Sequence, residues 1–247
     1  MVDWELRYQS GDTPWEKGSA SPALIELLGK FRDWGLGPVL VPGCGLGHDV
    51  RVLASLGISI VGVDLAPSAL DRAREFQHVG EESYELGNFF DPKWQVDRQF
   101  SAIWEHTCFC AIDPSDRARY VAAAAGCLVD GGVLAGVFFL TPFDPGDDTT
   151  GPPFGVSLED LDKWFSPWFE RLDGWVPAAA YPGREVLDDG PHVLVRIRWV
   201  AGGEVVLVSC SGRGLSVILY PLLILLRVFL FILRAGWLTD VVIRFIC

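Results

Sequence analysis

The chain has 247 residues, which is enough for one α/β domain with a buried core and hardly enough for two. Half of the residues are hydrophobic and 21% are charged, so an intrinsically disordered chain is excluded. The net charge of −12 argues against a nucleic-acid partner, because binding to phosphates depends on Lys and Arg. A small neutral or cationic ligand is the expected partner.

The N-terminal residues lack the apolar run of a signal peptide, so a cytoplasmic enzyme is expected, and a monomer is the simplest assembly. The six cysteines show neither CxxC pairs nor His/Cys ligand spacing, so no metal site is predicted.

Short apolar runs alternate with helix-forming segments along most of the chain. Residues 1–20 are rich in Trp and turn-forming residues, and no regular element is predicted there. The predicted strands are Val39–Val41, Ile58–Val63, Ser83–Leu86, Phe100–Trp104, Val133–Phe139, Phe169–Trp175 and His192–Val200. The predicted helices are one that begins at Ser21-Pro22, then His48–Leu56, Pro67–Gln77, Ser115–Leu128 and Ser157–Phe165.

This alternation predicts right-handed βαβ units and a mostly parallel sheet. The Pro/Gly/Asp-rich segment Pro142–Pro153 is interpreted as a lid or substrate loop over the carboxyl edge of that sheet.

The composition changes after about residue 200, which divides the chain into a domain, 1–200, and an apolar tail, 201–247. Fifteen of the nineteen residues from Leu215 to Leu233 are Leu, Ile, Val or Phe. Such a run sums to about −5 to −9 kcal/mol for membrane insertion, against about +3 kcal/mol for its Arg227. The tail is therefore interpreted as a membrane anchor at 215–233. A segment translated out of frame and an amphipathic segment packed on the domain are the alternatives.

A glycine-rich loop joins the first predicted strand to the next helix, in the sequence Val39–Asp49, VLVPGCGLGHD. Glycines let the backbone approach a ligand closely, and the following helix offers free N–H groups. The spacing GxGxG is one residue shorter than the dinucleotide fingerprint, which favours S-adenosylmethionine over a nicotinamide cofactor. The alternative is a tight turn without a ligand.

Two further polar positions follow predicted strands. Asp64 ends the second strand, where a carboxylate can accept both hydroxyls of an adenosine ribose; the alternative is a helix-capping Asp. Asn88-Phe89 follows the third strand and can contact adenine; the alternative is a turn beside core aromatics.

In this order, these motifs resemble the thiopurine S-methyltransferase superfamily, and most closely its halide/thiol (thiocyanate) methyltransferase branch. The resemblance covers residues 4 to about 199. It is carried by Trp4, Tyr8 and Trp15 with TPWEKG, by LVPGCGLGHDV, GVDL and GNFFD, and by FCAIDP and GPPF. It implies a class I Rossmann-like methyltransferase fold, with a seven-stranded, mostly parallel sheet and helices on both faces.

The resemblance also implies S-adenosyl-L-methionine as the cofactor. Together with the loop chemistry, it gives a cofactor site of Trp4, Tyr8, Trp15, Gly43, Cys44, Gly45, Gly47, Asp64, Leu65, Asn88, Phe89, Glu105 and His106. Three positions depart from the family pattern: Tyr8 replaces a Trp, Asn88 an Asp, and Glu105-His106 an Asp-Tyr pair.

Methyl transfer needs a positioned nucleophile, a dry site and stabilisation of the sulfonium. Aromatic rings attract cations, so Phe109 is expected to face the sulfonium with the three N-terminal aromatics. His106 is the candidate proton acceptor, and a structural role is its alternative. Arg117 is expected either near the substrate or, preferably, paired with an acid of its helix.

The predicted reaction is methylation of a small nucleophile: a thiol, bisulfide, thiocyanate or a halide. The alternatives are a methyltransferase for a larger aromatic thiol or other small molecule, and a membrane-tethered cofactor-binding protein without turnover.

Overall fold

The structure, a computed structural model, describes residues 2–30, 34, 37–140 and 151–181 with their side chains. It also describes the backbone of three strands at 192–199, 204–211 and 214–221. The chain divides into two units, Met1–Trp199 and Val200–Cys247.

The first unit contains a seven-stranded sheet. Its strands are β1 (Val39–Pro42), β2 (Ile60–Asp64), β3 (Glu82–Leu86), β4 (Phe100–His106), β5 (Leu128–Phe139), β6 (Phe169–Trp175) and β7 (His192–Trp199). Their order is β3-β2-β1-β4-β5-β7-β6. Strands β1 to β5 are parallel, and β7 runs antiparallel to both β5 and β6. The predicted seven-stranded, mostly parallel sheet is confirmed.

Helices accompany the strands in the alternation that the sequence predicts. They are α1 (Trp4–Ser10), α2 (Pro22–Lys30), α3 (His48–Ala54), α4 (Pro67–Glu75), α5 (Pro92–Gln95), α6 (Arg117–Cys127) and α7 (Leu158–Phe165), with a 3₁₀ turn at Pro114–Asp116.

Both faces of the sheet are covered by helices. Val137 of β5 packs in a buried cluster with Leu27 of α2 and Leu53 of α3. The next residue, Phe138, lies against Phe165 of α7, with ring centroids 5.6 Å apart. Since successive side chains of a strand point to opposite faces, α2 and α3 cover one face and α7 covers the other.

The strand order reverses between β1 and β4, which are neighbours in the sheet. In open α/β sheets a ligand crevice forms at such a switch point, outside the carboxyl ends of the strands. The loops that follow β1, β2 and β4 therefore meet at one edge, and this edge carries the candidate site.

Helix α1 was not predicted. Asp3 caps its start, because the Asp3 carboxylate accepts a hydrogen bond from the Leu6 amide at 2.9 Å, and Gly11 ends it in the left-handed region. Both caps are present in the sequence, but seven residues are too few for a clear helical period.

Strand β5 is longer than predicted. It begins at Leu128 and includes the segment 130–132, which the sequence suggested as a turn between helix and strand. The pairing of Leu128 with Phe100 shifts register before Ala102, and Gly131 has φ +76°. A bulge admits these extra residues without ending the strand.

The second unit contains a hairpin of two strands, β8 (Glu204–Ser211) and β9 (Gly214–Pro221), paired antiparallel. The first seven residues of the predicted anchor 215–233 therefore lie in a strand, and 222–233 lie outside the described residues. A continuous apolar run is compatible with either a membrane-spanning helix or a buried strand, and the β-branched residues of this run favour a strand. Within the described part of the chain, no helix is long and apolar enough to cross a membrane.

Candidate functional site

A cavity of about 250 Å³ opens at the carboxyl edge of the sheet, beside the switch point. The loops after β1, β2, β3 and β4 form its floor and sides, and the N-terminal segment 4–19 forms another wall. Of the residues predicted to bind the cofactor, all line this cavity except Gly47 and Glu105. Pro152 and Pro153 from the predicted substrate loop also line it, whereas residues 142–150 of that loop lie outside the described residues.

The glycine loop after β1 has a backbone that few other residues tolerate. Gly43 and Gly45 have φ values of +61° and +51°. A Cβ atom at Gly43 would lie 3.0 Å from the Cys108 Cβ, and one at Gly45 would lie 2.8 Å from the Tyr8 hydroxyl oxygen. The loop is thus packed between the turn after β4 and helix α1, with no room for side chains.

Gly47 has a different role from the one predicted. Its φ is +71°, and a Cβ atom there would clash with the ring of Tyr84 in β3. Gly47 lets the start of α3 pack closely on β3 and does not line the cavity. The spacing of glycines cannot separate a packing glycine from one that faces a ligand.

Asp64 lies at the end of β2 and lines the cavity. Its carboxylate accepts hydrogen bonds from the Gly45 amide at 2.8 Å and from the Ala66 amide at 2.9 Å. Burial raises the pKa of Asp64, and these backbone hydrogen bonds oppose the rise. The residue therefore joins the glycine loop to the residue that precedes α4, and the ribose contact stays a prediction.

The loop after β3 contributes an apolar and a polar surface. Asn88 forms a turn, because its side-chain oxygen accepts from the Phe90 amide at 2.9 Å, and Phe89 is buried beside Tyr120. Both also line the cavity, and Leu65 adds a half-exposed apolar side chain.

Three aromatic residues of the N-terminal segment form one cluster. The Trp15 ring packs edge-on against Trp4 and Tyr8, with centroids 5.4 Å and 5.7 Å apart. The Trp15 indole donates to the Tyr8 hydroxyl at 3.1 Å. All three residues line the cavity, and that they face the sulfonium stays a prediction.

Polar contacts hold this segment on the sheet. The Glu5 carboxylate accepts from the Ser68 amide and hydroxyl at 3.0 Å and 2.6 Å, at the start of α4. Glu16 contacts the Nε2 of His48 at 2.9 Å, at the start of α3. The wall is therefore attached at two helix starts that flank the cavity.

His106 ends β4 and lines the cavity. Its Nδ1 lies 3.0 Å from the Asp49 carboxylate, which also accepts from the Trp104 indole at 2.7 Å and from the Ser21 amide at 2.7 Å. Burial tends to raise the pKa of Asp49, but the contact with His106 and the two hydrogen bonds lower it overall.

Glu105 does not reach the cavity. It is fully buried, and its carboxylate accepts from the Cys108 amide at 2.9 Å, the Phe109 amide at 2.8 Å and the Tyr120 hydroxyl. Burial raises the pKa of Glu105 to about 7. The predicted cofactor contact is replaced by a structural role, which is to hold the turn after β4.

Two other residues singled out in the sequence do not line the cavity. Phe109 is buried against Phe138 and Tyr120. Among the described residues Arg117 makes no ion pair with an acid of its helix, so the preferred prediction for it is wrong. Its guanidinium donates to the carbonyls of Phe154 and Gly155 at 3.2 Å and 2.8 Å.

Thiols lie beside this cavity without being free to react. Cys44 and Cys108 both line it, and burial raises the pKa of each well above the usual range. Since the thiolate is the nucleophile, both side chains stay unreactive at neutral pH. Among the described residues no cluster suits a metal ion.

Comparison with known proteins identifies the family. Residues 1–174 match the family model described as thiopurine S-methyltransferase. A probable thiol methyltransferase 2 of Arabidopsis thaliana is 32% identical over 170 residues, covering 66% of this chain and 71% of that protein. A thiocyanate methyltransferase 1 of Brassica oleracea is 31% identical over 169 residues, with the same coverage. The chain belongs to the thiopurine S-methyltransferase family.

As a member of that family, the protein is an S-adenosylmethionine-dependent methyltransferase. Its fold agrees: the crystal structure of an S-adenosylmethionine-dependent methyltransferase from Anabaena variabilis superposes with a TM-score of 0.60 at 17% identity, covering 79% of this chain and 93% of that one.

The cavity of this methyltransferase fits the cofactor chemically. A sulfonium is cationic, and the wall offers aromatic rings and the Asp64 carboxylate. The glycine loop leaves backbone accessible, and Leu65 offers an apolar surface for a base.

Asp49 and Tyr181 are among the residues of the site that sequence reasoning about this methyltransferase missed. Asp49 lies in the first turn of α3, where an acid is common for reasons of helix stability alone, so no signal distinguished it. Tyr181, which stacks on His106 with centroids 6.1 Å apart, lies far along the chain from the motifs.

Proposed function

We propose that this protein transfers the methyl group of S-adenosylmethionine to a small sulfur or halide nucleophile: a thiol, bisulfide, thiocyanate or a halide. One observation carries the proposal: a single cavity is lined by Asp64, the glycine loop, His106 and the aromatic wall of the N-terminal segment. The names of the relatives, thiol and thiocyanate methyltransferases, support the same class of acceptor.

The cofactor end of the site is assigned by chemistry. Asp64 would accept the ribose hydroxyls, Leu65, Asn88 and Phe89 would contact adenine, and Gly43, Cys44 and Gly45 would approach the amino-acid part through their backbone. Trp4, Tyr8 and Trp15 would face the sulfonium, since the electron-rich faces of aromatic rings stabilise cations.

The acceptor would bind in the part of the cavity beside His106. Phe139, Pro153 and Tyr181 add largely apolar surface to the cavity lining, which favours a small and weakly hydrated acceptor. The bound cofactor supplies an electrophilic methyl group. The protein must then orient the acceptor in line with that methyl group. If the acceptor carries a proton, the protein must also remove that proton.

Calorimetry with S-adenosylmethionine and a headspace assay on the full chain test the proposal. The assay would offer iodide, thiocyanate, bisulfide and an alkyl thiol in parallel, with an aryl thiol as the larger acceptor. We expect binding and transfer to at least one small acceptor. Binding without transfer to any of them would support a cofactor-binding protein, and transfer to the aryl thiol alone would support the larger acceptor.

We also propose that the protein is a cytoplasmic monomer, with membrane contact through 215–233 as the alternative. The apolar composition of the tail motivates the alternative. Fractionation of cells that express the full chain separates them, since an anchored protein sediments with membranes and resists extraction by carbonate.

A further inference from the structure

His106 is held by a buried carboxylate that belongs to a different motif. Asp49 is 8% exposed and lies in the first turn of α3, directly after the glycine loop. Its Oδ2 lies 3.0 Å from the Nδ1 of His106, and the Trp104 indole donates to the same oxygen. The Ser21 amide donates to Oδ1, so contacts from β4 and from the residue before α2 fix the orientation of this carboxylate.

The contact determines which nitrogen of His106 carries a proton. An ionised carboxylate accepts hydrogen bonds only, so Nδ1 must be the N–H donor. In the neutral ring, Nε2 is then the nitrogen with a free lone pair. Among the described residues Nε2 makes no hydrogen bond, and the ring stacks on Tyr181 at an interplanar angle of 27°.

We propose that Asp49 is a positioning residue that keeps His106 in its Nδ1–H tautomer, so that Nε2 accepts the proton of a sulfur acceptor. The pair makes thiols and hydrogen sulfide, which carry a proton, the preferred substrates over halides and thiocyanate, which carry none. The inference rests on the proposed methyl transfer and narrows its substrate class.

The proton step balances within this pair. The thiol S–H bond breaks and an N–H bond forms at Nε2, while the sulfur lone pair forms the new bond to the methyl carbon. The pair of electrons from the broken methyl–sulfonium bond stays on the donor sulfur, which leaves S-adenosylhomocysteine and a methyl thioether. The positive charge of the sulfonium is lost and one appears on His106, beside the Asp49 carboxylate at 3.0 Å.

A base at His106 increases the rate of thiol methylation most near neutral pH. A thiol with a pKa of about 8.5 is only about 3% ionised at pH 7, so a base raises the reactive fraction substantially. The ionisable groups that face His106 are Asp49 from α3, Glu105 from its own strand and the stacked Tyr181 phenol. The Glu105 carboxylate is engaged by the turn after β4, which leaves Asp49 as the acid that orients the ring.

Two variants test the pair: Asp49→Asn removes the charge that orients the ring, and His106→Gln removes the base. With a thiol and iodide as parallel acceptors at pH 7, we expect each variant to lower the thiol-to-iodide ratio of kcat about 10- to 30-fold, because about 3% of the thiol ionises unaided at that pH. Above about pH 9 the thiol ionises unaided, and the ratio should return towards that of the wild type. Asp71→Asn, on the exposed surface of α4, is the matched control and should leave the ratio unchanged.

A second measurement needs no turnover. Ring ¹⁵N spectra of the full chain without cofactor, assigned with His106→Gln, should show the Nδ1–H tautomer in the wild type and a shift towards Nε2–H in Asp49→Asn. If the His106 ring has the same tautomer in Asp49→Asn as in the wild type, the positioning role of Asp49 is overturned.

The outcomes separate this inference from the proposed function. Equal loss of thiol and iodide turnover in His106→Gln would overturn the proton role, as would thiol turnover that survives in that variant. If Asp49→Asn fails to fold, the wild-type tautomer decides the positioning role, since an Nε2–H ring would overturn it, and His106→Gln decides the proton role. A wild type that methylates iodide or thiocyanate but not thiols overturns this inference only, whereas transfer to no acceptor overturns the proposed function and this inference together.

Discussion

Glu105 places a carboxyl group in the core at the end of β4, where its three donors are two backbone amides and the Tyr120 hydroxyl. Burial raises its pKa from 4.5 to about 7. Between these values the folded chain binds more protons than the unfolded chain, so this residue makes the protein less stable as the pH rises.

Glu105→Gln should remove that dependence, because an amide of the same shape does not ionise. Relative to the wild type, the variant should gain about 1–3 kcal/mol of unfolding free energy between pH 5 and pH 8, since each unit of pKa difference is worth 1.36 kcal/mol. Urea unfolding at the two pH values measures it. Glu81→Gln, at an exposed position, is the control, and parallel curves for all three proteins would contradict the buried titration.

Asp64 is the residue on which the cofactor assignment depends most. Asp64→Ala should weaken S-adenosylmethionine binding about 10²–10⁴-fold, because hydrogen bonds to a charged carboxylate are worth about 1.5–3 kcal/mol each. Asp71→Ala, on the neighbouring helix surface, should bind normally. Calorimetry measures both, and an unchanged affinity in Asp64→Ala would refute the ribose contact.

At the scale of elements, the N-terminal wall is held by few contacts. Glu16→Ala would remove the contact to His48 and a hydrogen bond from the Gly18 amide at 2.6 Å. We expect S-adenosylmethionine to dissociate about tenfold faster, since the lost contacts hold a wall of the site and little of the core.

Stopped-flow fluorescence of the wall tryptophans follows this release. Glu75→Ala, at an exposed position that ends α4, is the matched control. A dissociation rate that stays at the wild-type value in Glu16→Ala would show that Glu5 and the aromatic cluster hold the wall without His48.

The strands that build the site were predictable, and some of its contacts were not. The apolar run Val39–Val41 ends at a glycine-rich segment, and this local boundary is enough to locate the glycine loop. Gly47 was assigned to the cofactor from the glycine spacing of the loop, and Glu105 from the family resemblance. Their true partners, Tyr84 and Tyr120, come from other elements, and spacing along the chain does not reveal such contacts.

At the scale of the molecule, an acidic chain is suited to a cationic cofactor. The net charge is −12, and the carboxylates of Glu16, Asp49 and Asp64 lie in the wall of one cavity. The negative electrostatic potential of these carboxylates attracts cations, and dissolved salt weakens that attraction. The same negative charge repels the phosphates of a nucleic acid, so the composition alone argues against such a partner.

All the described residues that line this cavity belong to the first unit, Met1–Trp199, which also contains the seven-stranded sheet. A chain that ends at residue 199 should therefore fold and bind S-adenosylmethionine like the full chain. Since a ligand stabilises only the state that binds it, cofactor at 100 times its Kd should raise the unfolding free energy of both proteins by about 2.7 kcal/mol. Thermal unfolding with and without cofactor measures the two shifts, and Asp64→Ala in each length serves as the control without binding. A short chain that unfolds cooperatively but gains nothing from the cofactor would show that residues 200–247 contribute to the site.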